Sequence, residues 1–266
     1  MRTGRTGSAA VLAGALALGA FAAPSAEAAD TGVKVSNLVV NGGKPIVVGT
    51  TAEVTPKFSF HIATPSGTKV SDVTPFPFLY HDTTPAKAID SGGIYTGFTE
   101  CGDGPRAADC TGELTVDPRY RLDSTNDATA WKVAVWIRVW TADDKLKGEQ
   151  FLTGFGTAQV KRAAKVTVDA SPEPVAKGGK LTVTGRITRA DWARHTYTGF
   201  AGKAAKLQFR KAGTSTYSTV KTVSADSAGA LRTTVTAAAD GYWRWTFGET
   251  STTGGATAAG DYVDVK

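Results

Sequence analysis

Beyond its opening segment the 266-residue chain has no long hydrophobic run, and it holds one Met, two Cys and three His. No further stretch is therefore long and apolar enough to read as a membrane-spanning helix. His61, His81 and His195 stand far apart and show no zinc-type spacing. No Gly-x-Ser-x-Gly turn nominates a nucleophilic serine. None of the Gly-rich stretches leads into Lys-Ser/Thr at the start of a helix, as a phosphate loop would. There is no block of five or more basic residues and no identifiable nucleic-acid module. These absences point to a non-enzymatic protein without nucleic-acid partners. A carboxylate pair for glycoside hydrolysis is a matter of geometry that sequence does not set.

What is present starts at the N-terminus. Arg2 and Arg5 precede an uncharged Ala/Leu-rich run, Ala9 to Ala23. Pro24-Ser25 breaks it, and Ala26-Glu27-Ala28 fits a small-x-small cleavage site. Residues 1–28 are expected to be a secretory signal peptide that directs the rest of the chain out of the cell. No Cys stands at the cleavage site, and Gly260 to Lys266 carries no apolar tail. A free extracellular protein without membrane insertion is the expectation.

Removing Arg2, Arg5 and Glu27 lowers the net charge from +6 to +5. The remainder is polarised. Residues 30–160 hold 12 basic and 15 acidic residues, whereas residues 161–266 hold 16 basic and 8 acidic. That shift, near Lys161-Arg162-Ala163-Ala164, predicts domains over 29–160 and 161–266. A basic second domain favours anionic extracellular partners such as wall polymers, through weak and salt-sensitive attraction.

Both halves read as β structure. In the second, short alternating runs such as Lys180 to Ile187, Ala205 to Arg210 and Gly241 to Phe247 are separated by turn formers. About seven strands in about 100 residues predict an immunoglobulin-like sandwich. Trp243, Trp245 and Phe247 should face one way, Tyr242, Arg244 and Thr246 the other. Tyr242 is placed where a tyrosine hydroxyl can cap a corner. Asp191 to His195 breaks the pattern and suggests one helical turn. In the first half Trp131 to Trp140 is the strongest strand, and the proline-rich Pro65 to Pro77 reads as a surface connection. The predicted class is all-β, with two β-sandwich domains in tandem.

Cys101 and Cys110 are an even pair in an extracellular chain, separated by a turn-rich segment, and are expected to form one local disulfide. Trp136, Arg138, Trp140 and Lys132 share one face of the strong strand, opposite a core face. Two indoles about 13 Å apart with cations beside them could stack polysaccharide rings or meet a polyanion, or could be covered by the rest of the fold. Asp123, Asn126 and Asp127 form the better candidate for calcium, with Asp143-Asp144 behind. Neither matches the twelve-residue calcium loop, and turn formation is the simpler role for such residues.

Several segments together carry a resemblance. They are Gly42-Gly43-Lys44-Pro45-Ile46-Val47-Val48-Gly49, Ala170-Ser171-Pro172-Glu173-Pro174-Val175-Ala176-Lys177-Gly178, Leu207-Gln208-Phe209-Arg210-Lys211, Asp240-Gly241-Tyr242-Trp243-Arg244 and Gly260 to Lys266. The chain resembles a group of small secreted immunoglobulin-like proteins of streptomycetes and related actinobacteria, some labelled calcium-binding. The resemblance implies a β-sandwich and an extracellular location, and supplies no catalytic residue. The resulting expectation is a secreted binding or structural protein associating with cell-wall polymers or polysaccharide. The alternatives are a calcium-binding module, or an enzyme or protease inhibitor presenting the Cys101–Cys110 loop.

Overall fold

A computed structural model describes residues 30–266, so the expected signal peptide lies outside the described residues. Period-two alternation dominates from Lys34 onward, and strands form where it runs. The N-terminal half holds β1 (Lys34–Val40), β2 (Ile46–Val48), β3 (Lys57–Ala63), β4 (Val73–Tyr80), β5 (Ile94–Cys101), β6 (Ala107–Thr115), β7 (Ala130–Trp140), β8 (Leu146–Leu152) and β9 (Thr157–Arg162). Two short helices, α1 (Pro85–Asp90) and α2 (Pro118–Arg121), interrupt them. Each begins with Pro, after Thr84 and Asp117 respectively, whose side chains accept backbone N–H bonds as N-caps.

These strands make one connected sheet in the order β1-β3-β6-β5-β4-β7-β9-β2, with β8 following β9 along the edge of β7 opposite β4. The sheet folds over so that its two halves share one core, including Phe60, Ile62, Ile94, Leu114, Trp131, Val135 and Val160. Along β7 the buried face is Trp131, Val133, Val135, Ile137 and Val139. At the β1–β2 turn Asn41, Gly42 and Gly43 all have positive φ, which favours Asn and Gly. The Asn41 amide donates to the carbonyls of Lys44 and Pro45.

The segment Pro65 to Pro77 is not all surface connection. Val73 to Tyr80 is a strand paired with β7 along its whole length, and Pro75 and Pro77 lie inside it. A proline lacks the N–H, so in a strand paired on one side it fits only where that missing donor points away from the partner. The prolines therefore sit against β7 without loss, and their empty side faces β5.

The C-terminal half holds β10 (Ala164–Ser171), β11 (Lys180–Asp191), β12 (Thr196–Gly199), β13 (Ala204–Lys211), β14 (Ser218–Ser224), β15 (Ala230–Thr236), β16 (Gly241–Phe247), β17 (Ala256–Thr257) and β18 (Asp261–Val263). One sheet is β10-β11, with β15 and then β12 along the other side of β11. The second is β14-β13-β16, with β17 and β18 along the far side of β16. This arrangement is an immunoglobulin-like sandwich. Its centre is Trp245, fully buried, whose indole N–H donates to the Thr184 carbonyl of the facing sheet at 3.0 Å. Gly185 makes the approach possible: a Cβ there would stand 2.6 Å from the Trp245 ring and 2.3 Å from the Thr167 carbonyl oxygen.

Two local expectations are corrected. Asp191 to His195 is not a helical turn but the tight turn of the β11–β12 hairpin, closed by His195 at positive φ. Tyr242 does not cap a corner: among the described residues its hydroxyl has no hydrogen bond, and its ring packs on Tyr262 at 5.1 Å. Asp240 does the capping, accepting the backbone N–H of Val265 at 2.8 Å.

The two sandwiches meet along a buried junction. Trp192, 0% exposed, leaves the β11–β12 turn, joins the N-terminal core and donates its indole N–H to the Gly49 carbonyl at 2.9 Å. Arg162 is buried with its guanidinium 5.1 Å over the Trp192 ring and one nitrogen 2.9 Å from the Thr125 hydroxyl. Burial holds its pKa below the ordinary guanidinium value, yet an arginine stays charged in proteins. The loop after β16 lies against β9: Lys161 pairs with Glu249 at 3.0 Å, and the Thr252 carbonyl and Gly254 N–H bond the backbone of Arg162. Ala163, between β9 and β10, donates to Val48 on one side and accepts from Ala190 on the other.

Candidate binding surfaces

The outer face of β7 carries Lys132, Trp136, Arg138 and Trp140. β4 pairs beside it, with Thr74 opposite Arg138 and Phe76 opposite Trp136; β8 brings Glu149 and Phe151 to the other side. Trp136 is enclosed by a stacked Phe151 at 5.8 Å, an edge-on Phe76 at 6.3 Å and the Arg138 guanidinium at 4.4 Å. Arg138 also lies 5.7 Å over Trp140. Both indole N–H groups are used, Trp136 toward Glu149 at 3.1 Å and Trp140 toward Thr74 at 3.0 Å. Lys132 sits further along, 5.9 Å over Tyr80. The two indoles are half-buried members of a tryptophan–arginine ladder, not free flat rings.

The acidic loop before β7 is organised around Asp127. One of its carboxylate oxygens accepts the backbone N–H groups of Asp123 and Ser124, and the other meets His81 Nε2 at 3.0 Å. The Asp127 carbonyl accepts the Trp131 indole N–H at 2.9 Å. His81 lies 4.1 Å from the Trp131 ring centre, and its Nδ1 faces Asp82 at 2.8 Å. Asn126 donates its backbone N–H to Ser124 Oγ. Asp127 is thus committed to the loop and to His81. Among the described residues no group of three or more His, Cys, Asp or Glu side chains is gathered as metal ligands usually are.

Cys101 and Cys110 face each other across β5 and β6 and are joined by a disulfide, which clamps this hairpin as the sequence indicates. Beside it a cleft of about 740 Å³ opens between β5 and the first half of β4.

The most uniform surface lies on the C-terminal sandwich. Strands β13, β14 and β16 contain Lys206, Arg210, Lys211, Lys221 and Arg244 and no Asp or Glu. Register places Gln208 opposite Arg244 and Arg210 opposite Tyr242. Arg210 stacks 4.1 Å over Tyr242 and 5.3 Å over Tyr217, and Arg244 stacks 3.6 Å over Tyr217. Arg244 Nε donates to Gln208 at 2.9 Å. Tyr262 continues the aromatic row at 40% exposure. The arginines are held by ring faces and neutral acceptors, without a carboxylate partner.

No family model matches this sequence, and no curated protein matches it. Solved structures with some likeness include the mouse nectin-like molecule 4 full ectodomain, 12% identical over 86% of this chain and 63% of that one, at a TM-score of 0.25. This chain thus spans less than two thirds of that ectodomain. The fibronectin(III)-like modules of Clostridium thermocellum CbhA share 12% identity over 86% of this chain and 92% of theirs, at 0.28. The D00-D0 domain of intimin shares 11% over 86% and 99%, at 0.29.

The surplus charge of the C-terminal half is legible in the sequence, but its gathering on one face of three strands is not a property of composition. The signal was the alternation in Lys206, Gln208, Arg210 and in Tyr242, Arg244, Thr246, which puts each set on one face. Among the described residues no helix is long and apolar enough to cross a membrane.

Proposed function

We propose that this is a secreted, non-enzymatic binding module that attaches to anionic cell-wall polymers or acidic polysaccharide through the outer face of β13, β14 and β16. The observation that carries the reading is the acid-free row of stacked arginines and tyrosines on that sheet. Tyr and Arg are the residue types that concentrate binding energy at interfaces. A guanidinium already stacked loses less freedom on meeting a carboxylate or phosphate than a free lysine does. The leader-like residues 1–28 and the disulfide support an extracellular setting.

The test is retention of the purified chain on isolated walls and on acidic and neutral glycans, read against salt. Binding to acidic polymers that weakens steeply between low and physiological salt is expected. Replacing Arg210 and Arg244 together by Ala should weaken it about tenfold or more while leaving the melting temperature nearly unchanged. Equal retention of the double variant, or none by the parent at low salt, would sink the reading.

A further inference from the structure

The cleft between β4 and β5 has the construction of a sheet with one strand missing. β4 pairs with β7 from Val73 to Tyr80, but with β5 only at Phe78–Tyr95 and Leu79–Ile94. β5 continues to Cys101 on the arm of β6, with a bulge between Thr96 and Phe98 that turns it away. The Phe78–Tyr95 register places Thr96 N–H on the Pro77 carbonyl, and Val73 N–H bonds the Val70 carbonyl; otherwise Val73 to Phe76 and Gly97 to Cys101 run with their facing edges unpaired.

The reason for the opening is on the β4 side. Val73 and Pro75 present carbonyls to the cleft and no free N–H, Pro75 lacking one and Val73 using its own on the Val70 carbonyl, so a neighbouring β5 would find acceptors there without donors. On the β5 side, Gly102 N–H bonds the Asp109 carbonyl at 3.0 Å. By alternation Thr99 and Cys101 then turn their N–H and C=O groups away from β6, into the cleft. The Thr99 hydroxyl is buried there without a partner. Phe76 and Phe98 supply apolar rims, Phe98 being 50% exposed. The far end is closed where Val70 N–H bonds the Pro105 carbonyl at 3.2 Å.

From this we propose that the cleft binds an extended peptide by strand addition. The occupant is a proline-free segment of about four or five residues, the length that spans Val73 to Phe76. Its N–H groups donate to the Val73 and Pro75 carbonyls, and its other edge exchanges bonds with Thr99 and Cys101. Its side chains on one face are apolar, matching Phe76 and Phe98. This is the main-chain mode of recognition, in which backbone bonds give affinity and alternate side chains give selectivity. It is independent of the polymer-binding face on the other sandwich.

Amide hydrogen exchange on the purified chain tests it. In the free protein, Thr99 and Cys101 should exchange fast although they lie in a strand; slow exchange would mean the edge is already satisfied and would overturn the proposal. The blocked peptide Ac-Val-Thr-Val-Thr-Val-NH2 at millimolar concentration should slow both amides by about tenfold or more. Ac-Val-Pro-Val-Pro-Val-NH2 should not. Phe98→Asp, at an exposed position that folding tolerates, should abolish the protection without lowering the melting temperature. No protection, equal protection by both peptides, or protection confined to the β8 or β14 edges would each refute it.

Discussion

Single residues in this protein act mostly through what they leave room for or hold in place. Gly185 is one case. An alanine methyl there meets the Trp245 ring and the Thr167 carbonyl at once, and neither has anywhere to go. Gly185→Ala is expected to cost about 1–3 kcal/mol in urea unfolding, the usual range for an overpacked core. Asp117 is another. The Arg119 side chain grips its carboxylate at 3.0 and 2.6 Å, with help from the Arg119 backbone N–H, and holds its pKa below the ordinary aspartate value. Arg194 does the same for Asp191. A carboxylate with a depressed folded pKa contributes stability above its unfolded value of about 3.9, and that contribution is lost as pH falls through the folded value. Unfolding free energy should therefore decline below about pH 4, and Asp117→Asn should make the decline shallower. Urea titrations between neutral pH and pH 3 measure both.

At the scale of elements, the β5–β6 hairpin is held by its disulfide and is flanked by the open cleft. Cys101→Ser with Cys110→Ser should lower stability by about 2–3 kcal/mol, as expected for a small closed ring. The loss should appear first as faster exchange of the amides bonded between β5 and β6, Gly102 among them, ahead of global unfolding. The elements differ in how openly the sequence announces them. Trp131 to Trp140 and Gly241 to Phe247 are legible because one face is buried and the other is not, so burial imposes a two-residue period. Val73 to Tyr80 hides behind two prolines, which ordinarily argue against a strand and here mark the edge turned away from β7. Trp192 hides for a different reason. A turn residue has no periodic partner, and its burial comes from the other sandwich, which local pattern does not see. The tyrosine–arginine face was half legible: alternation set its direction, but the pairing that assembles three strands into one acid-free surface is a long-range fact.

At the scale of the molecule, the two sandwiches are expected to unfold together. The junction seats Trp192 in the opposite core and covers Arg162 with it. Trp192→Ala removes a fully buried side chain and should cost about 3–5 kcal/mol. It should also split a single calorimetric transition into two and broaden the interdomain distances seen by small-angle scattering. A single sharp transition in the variant would show that other contacts suffice for the coupling.

The buried junction at Lys161 to Ala163 also has a mechanical meaning. A flexible tether lets two bound objects wander, and the chance of holding both falls with its length. Here the chain passes between sandwiches with its backbone bonded on both sides, so there is no slack to lose. A polymer seated on the C-terminal sheet and a peptide seated in the N-terminal cleft would be kept at one separation and one angle. With both ligands bound the molecule would work as a rigid gauge, and pulling on one ligand would load the other directly.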